Sequence, residues 1–186
     1  MQQQPCALPA RTTLVVMGVS GSGKSEISQA VATALGWRHI EADHFHPPEN
    51  VERMRAGIPL SDEDRRHWLD ALCEQMLAAQ AVGECFVLAC SALKRAYRDR
   101  IREQAGDVCF VFLDGSFELI QKRMQQRVGH YMQPGLLDSQ FQTLEKPEAD
   151  ETDVIHLPIT EPVQDMVMQA LTALQTSAFS RVHPAL

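Results

Sequence analysis

The sequence predicts an α/β protein of three layers, with helices on both faces of a mainly parallel five-stranded sheet. Short apolar runs alternate along the 186 residues with longer stretches of helical spacing, the signature of repeated βαβ crossovers. The first, third and fourth runs are almost continuously apolar, as strands buried on both faces are. A glycine-rich tract between the first strand and the first helix marks the end of the sheet where a ligand is expected.

The first strand is expected at 13–18 (TLVVMG), where β-branched residues run into a glycine, and the first helix at 24–35. WRHIEAD at 37–43 reads as the second strand, closed by Pro47 and Pro48, which also fix the entry into the helices that follow. Ser61 with an acid three residues later starts a helix over 61–80. CFVLAC (85–90) is the third strand, followed by a helix at 92–104 in which Ser91 and Lys94 lie at the ligand-facing edge. VCFVFLDG (108–115) is the fourth strand, with a helix at 116–128, and DVIHLPI (153–159) the fifth, with a helix at 162–176. Trp68 and Leu69, at helical spacing from Leu72 and Met76, read as core. The chain fits one domain, 1–186, long enough to bury roughly 70% of its unfolded surface, with loose tails at 1–11 and 179–186.

Composition narrows the function. A net charge of −7 argues against a nucleic-acid partner. No run reaches the roughly 18 apolar residues of a membrane span, and the N-terminus lacks the apolar core of a signal peptide. Five cysteines without CxxC spacing suit a reducing cytoplasm.

Gly18, Val19, Ser20, Gly21, Ser22, Gly23, Lys24 and Ser25 spell GxxxxGKS between a strand and a helix. The glycines let backbone N–H groups face phosphates at the positive end of a helix, Lys24 reaches the β and γ phosphates, and Ser25 offers its hydroxyl to Mg²⁺. Glu26, an acid in the first helical turn, is expected to point away from the phosphates. Asn50 is the only asparagine, so the NKxD motif of guanine-reading GTPases is absent. The chain is short for a force-transmitting ATPase. A small-molecule kinase remains, and it needs an acid beside the acceptor hydroxyl and cations for the charge in transit. Asp43 is the candidate that orients or deprotonates the hydroxyl. Glu41 is a candidate for the water shell of Mg²⁺. Alternating on a strand end, the two are expected to differ in direction. His44 and His46 form an HxH with no supporting ligand cluster, which speaks against a structural metal.

Five blocks, in order, resemble the gluconate kinase family: GVSGSGKS, DHFHPPENVERMRAGIPLSDEDRRHWL, CSALKRAYRD (90–99), RVGHYM (127–132) and SQFQTLEKPEADETDV (139–154). The resemblance implies a P-loop kinase fold related to nucleoside monophosphate kinases, and transfer of the ATP γ-phosphate to the 6-hydroxyl of D-gluconate. It implies that His46 and Arg65, and more weakly Arg53, belong to the acceptor site, with Arg65 facing a carboxylate or the transferred phosphate. Lys94 is a further acceptor-side candidate, and Arg66 reads as a surface charge. By the same resemblance, 123–137 is a lid whose Arg123 and Arg127 close over ATP, and the protein is a homodimer. Two other readings stay open: a kinase for shikimate or a related sugar acid, and an ATP-binding sensor without phosphotransfer.

Overall fold

The computed structural model describes residues 13–105, 108–126 and 134–182. Its strands are β1 (Thr13–Met17), β2 (Arg38–Glu41), β3 (Phe86–Ala89), β4 (Val108–Asp114) and β5 (Val154–Pro158). The described helices are α1 (Lys24–Leu35), α2 (Pro48–Arg55), α3 (Asp62–Ala81), α4 (Arg95–Ala105), α5 (Phe117–Gln126), α6 (Pro134–Thr143) and α7 (Val163–Val182). The sheet runs β2-β3-β1-β4-β5, and every pairing is parallel.

Alternation along each strand sends side chains to two separate cores. From β1, Val15 and Met17 pack with Phe86, Leu88, Phe110 and Phe112 beneath Trp68, Leu72 and Met76 of α3 and Ile101 of α4. Leu14 and Val16 face the other way, with Val87, Val111 and Leu113, against Ile27 and Val31 of α1 and Met166 and Ala170 of α7. Both faces are therefore covered, which explains why these strands read as unbroken apolar runs. Each fully buried aliphatic or aromatic side chain here contributes roughly 1.5–3 kcal/mol, and Trp68 is anchored further by Nε1 donating to Ala42 O at 2.7 Å.

Ser61 caps α3 as expected: its hydroxyl accepts from Asp64 N, and the Asp64 carboxylate accepts from Ser61 N at 2.8 Å, a reciprocal capping box. Four expectations need correction. The second strand stops at Glu41, and Ala42–Phe45 turns into a 3-10 helix, so Asp43 and the two histidines are not strand residues. α4 starts at Arg95, so Ser91 and Lys94 precede it; Ala92, in the left-handed region with φ 42°, cannot continue a helix. Residues 179–182, expected in a loose tail, belong to α7. α2 and α6 were not anticipated as separate elements. The expected N-terminal tail and residues 127–133 of the expected lid lie outside the described residues, while 123–126 belong to α5 and 134–137 to α6. Among the described residues, no helix is long and apolar enough to cross a membrane.

Candidate active site

The chain leaves central β1 at its carboxyl end and crosses through α1 to β2, beyond β3, whereas β4 lies on the other side. Strand order reverses at β1, which is where open parallel sheets bind ligands. The loop Gly18–Gly23 sits there. Gly18 has φ 146°, and a Cβ on it would come within 3.1 Å of Leu113 O. Gly21 has φ 81°, and its Cβ would lie 2.7 Å from Met124 Cγ of α5. Both positions therefore demand glycine twice over, for the positive φ and for the close approach.

An open cleft of about 160 Å³ lies over this loop. Ser20, Gly21, Gly23, Lys24 and Ser25 line it from the loop and the start of α1, and Glu41, Asp43 and Ala89 line it from the ends of β2 and β3. The acids were expected to diverge along a strand. The 3-10 turn instead rotates Asp43 back so that both carboxylates face one cleft. Glu26, expected to turn away, is exposed but borders the same cleft.

Lys24 Nζ donates to Val19 O at 3.0 Å. Burial lowers its pKa, while Asp43, Cys90 and Glu41 act to restore the charge. Bound phosphates would favour the charged form of Lys24 in the same way as the neighbouring carboxylates. Cys90 beneath the loop is a buried thiol pushed up to about 12, chiefly by desolvation, and takes no part as a nucleophile. Ser22 Oγ is buried without a hydrogen-bond partner.

Sequence reasoning missed a polar path between two of the residues that line the cleft. Ser28 Oγ donates to Ser25 O at 3.1 Å and lies 2.8 Å from His39 Nε2, which is 3.6 Å from Glu41 Oε1. It connects the first turn of α1 to the Glu41 carboxylate. Its members are scattered over two elements with no motif spacing, which is why no pattern revealed them.

On the acceptor side, His46 stacks on Trp68, centroids 4.6 Å apart and planes 8° from parallel. Burial lowers the His46 pKa and Arg65 adds to that, against the opposing pull of Asp43; its buried Nδ1 has no partner. A neutral imidazole with a free ring nitrogen is suited to a polyol hydroxyl. Arg65 Nη1 donates to Leu60 O at 2.7 Å. Lys94 Nζ grips both oxygens of Asp62, at 2.8 and 2.7 Å, and Tyr97 donates its hydroxyl to the same carboxylate. These bonds, Lys94 first and Tyr97 next, hold the Asp62 carboxyl below its ordinary range. Tyr97 is pushed up to about 12 by burial and then by this bond. Arg53 is paired with Asp64 at 2.7 Å, so its charge is already engaged. Arg66 pairs with Glu63 on the surface. Arg123 donates to Ile159 O, and Arg127 lies outside the described residues.

Hard oxygen donors among the lining residues, the Ser25 hydroxyl and the Glu41 and Asp43 carboxylates, fit Mg²⁺ accompanying a nucleotide. No group of three or more His, Cys, Asp or Glu side chains among the described residues could hold a metal by itself.

A phosphate-binding loop at the switch point of a parallel sheet, faced by carboxylates and flanked by cations, defines the class: a P-loop small-molecule kinase. The family model described as an AAA domain matches residues 14–147, the stretch from β1 to just beyond α6. The thermosensitive gluconokinase of Escherichia coli K12 is 40% identical over 173 residues, 93% of this chain and 92% of that one. The gluconokinase of Gluconobacter oxydans 621H is 50% identical over 139 residues, 74% of this chain and 78% of its own. A crystal structure of a gluconokinase from Sinorhizobium meliloti 1021 matches with TM-score 0.86 at 44% identity, covering 95% of this chain and 99% of that one. The chain belongs to the gluconokinase family.

Proposed function

We propose that the protein transfers the γ-phosphate of ATP to the 6-hydroxyl of D-gluconate, giving ADP and 6-phospho-D-gluconate. The observation that carries this reading is the shared cleft, lined by Lys24 and the loop together with Asp43, in a chain of this family. Asp43 accepts or orients the hydroxyl proton while Lys24 balances charge on the moving phosphoryl group. Mg²⁺, when bound, neutralises the triphosphate, with Ser25 and Glu41 the residues that would hold it or its waters. His46 and Arg65 receive the polyol and the carboxylate; Lys94, clamped by Asp62, contributes after that clamp opens. Arg53 stays paired with Asp64 and has the weaker claim. Arg123 and Arg127 serve a lid over residues 123–137 within a single-domain kinase. The protein works in the cytoplasm, in keeping with the absence of a disulfide at cysteines 73, 85, 90 and 109, and as a homodimer, as in the family.

Phosphorus NMR of the product tests the regiochemistry. The expected result is one new phosphomonoester on C6 of gluconate, formed at the rate at which ADP appears. Phosphate on another hydroxyl, or ADP without a phosphorylated acid, would contradict the reading.

A further inference from the structure

One side chain outside the loop grips it in a way that no motif predicted. Gln140 on α6 accepts a hydrogen bond from Ser20 N at 2.6 Å through Oε1, and its Nε2 donates to Ser20 Oγ at 3.2 Å. A backbone N–H can only donate, so the amide orientation is fixed by the contact itself. The two residues stand 120 positions apart, and the interaction is partly buried. The same segment reaches the acceptor side a turn later. Glu145 N donates to Leu93 O at 2.9 Å, and the Glu145 carboxylate accepts from Arg95 N at 2.6 Å. Residues 140–145 thus tie the donor loop to the loop after β3.

We infer that Gln140 is a positioning residue for ATP, which holds the loop at Ser20 in its phosphate-ready curvature before the nucleotide arrives. The inference rests on the reading of this loop as the ATP site. Ser20 precedes the N–H groups that open α1, the ones left without intrahelical partners and free for phosphate. Satisfying the Ser20 N–H from a rigid helix fixes the loop's first bend without consuming any of those donors. A loop ordered beforehand loses less entropy when it binds. Gly21, close under Met124, Gly18, whose N donates to Ser91 O at 3.3 Å, and Ser22, whose N donates to Val19 O at 3.3 Å, restrain the loop on either side, and Gln140 holds the bend at Ser20 between them.

The test is Gln140→Met, which keeps shape and helix propensity but removes both bonds. The expected result is a rise of about tenfold in the ATP dissociation constant, measured by calorimetry without acceptor, and in the ATP KM. The gluconate KM and kcat should stay within about threefold. Ser20→Ala, which removes the hydroxyl–amide bond alone, should cost less, and added to Gln140→Met it should add less than about twofold, as expected of coupled partners. Unchanged ATP binding in a folded Gln140→Met protein would overturn the inference. So would tighter ATP binding, which would mean that Gln140 competes with phosphate, or equal rises in both KM values, which would make it merely structural. Because the binding measurement contains no gluconate, its outcome is independent of whether gluconate is the acceptor.

Discussion

Asp43 and Arg65 do different work in the account, and kinetics separates them. Asp43 lines the cleft over the loop and is proposed to act on the reacting oxygen, so Asp43→Asn should lower kcat by about a hundredfold or more with little change in either KM. Arg65, held by Leu60 O, is proposed to make a charge-assisted contact with the acceptor's acid group, so Arg65→Ala should raise the gluconate KM by roughly ten- to a hundredfold while kcat changes little. Steady-state kinetics with each substrate varied in turn checks both. Full turnover in Asp43→Asn, or a normal gluconate KM in Arg65→Ala, would remove that residue from its role. Lys24 and the loop were legible in the sequence because their chemistry is encoded in contiguous spacing. The environment of His46 was not, since its stacking partner Trp68 is 22 positions away by number and joins it through a turn that reads locally as strand.

At the scale of elements, the stretch joining α6 to β5 is held by a buried ion pair. Arg98 is fully buried on α4 and pairs with Glu151 at 2.6 Å. Its Nη1 also donates to Ala92 O, Leu93 O and Glu145 O, at 3.2, 3.3 and 3.0 Å. One guanidinium thereby fixes the strained turn after β3 and the segment that follows α6. Arg98, and after it Arg102, hold the Glu151 carboxyl down to about 2 despite its burial. The unfolded chain takes up this proton nearer the ordinary value of 4.5, so the contribution is complete above that pH and is lost as pH falls toward 2. Glu151→Gln leaves a buried guanidinium without its counter-charge and should destabilise by about 3–5 kcal/mol at neutral pH. Urea denaturation as a function of pH should show the gap from the unsubstituted protein narrowing below about pH 4.5. An equal gap at all pH values would show that the charge is not what matters. This pairing was not legible beforehand: Arg98 and Glu151 lie in two of the blocks quoted above, but 53 positions apart, and nothing in either block says that they meet. Strands, α1 and α3 were legible from hydrophobic period and capping. α2 was not, being only 8 residues long and mostly polar; nor was α6, which opens on Pro134 and Gly135, residues that read as loop.

For the whole molecule, topology and site agree. The sheet order β2-β3-β1-β4-β5 places the loop after β1 beside the turns after β2 and β3, and those turns carry Asp43, His46 and Lys94. The loop and the proposed acceptor residues therefore come from three neighbouring strand ends, an arrangement by which one small sheet can assemble a two-substrate site. Alternation and apolar runs were enough to reveal that architecture; the convergence of the acids was hidden because it depends on where β2 stops.

The central claim is that this cleft passes phosphate to gluconate. ADP release coupled to a spectrophotometric readout, run with gluconate, shikimate, nucleosides and nucleoside monophosphates as acceptors, tests it most directly. The account predicts stimulation by D-gluconate far above the rate without acceptor, and its loss in Lys24→Ala. Gluconate giving no more ADP than the acceptor-free reaction, or another acceptor giving more, would contradict it.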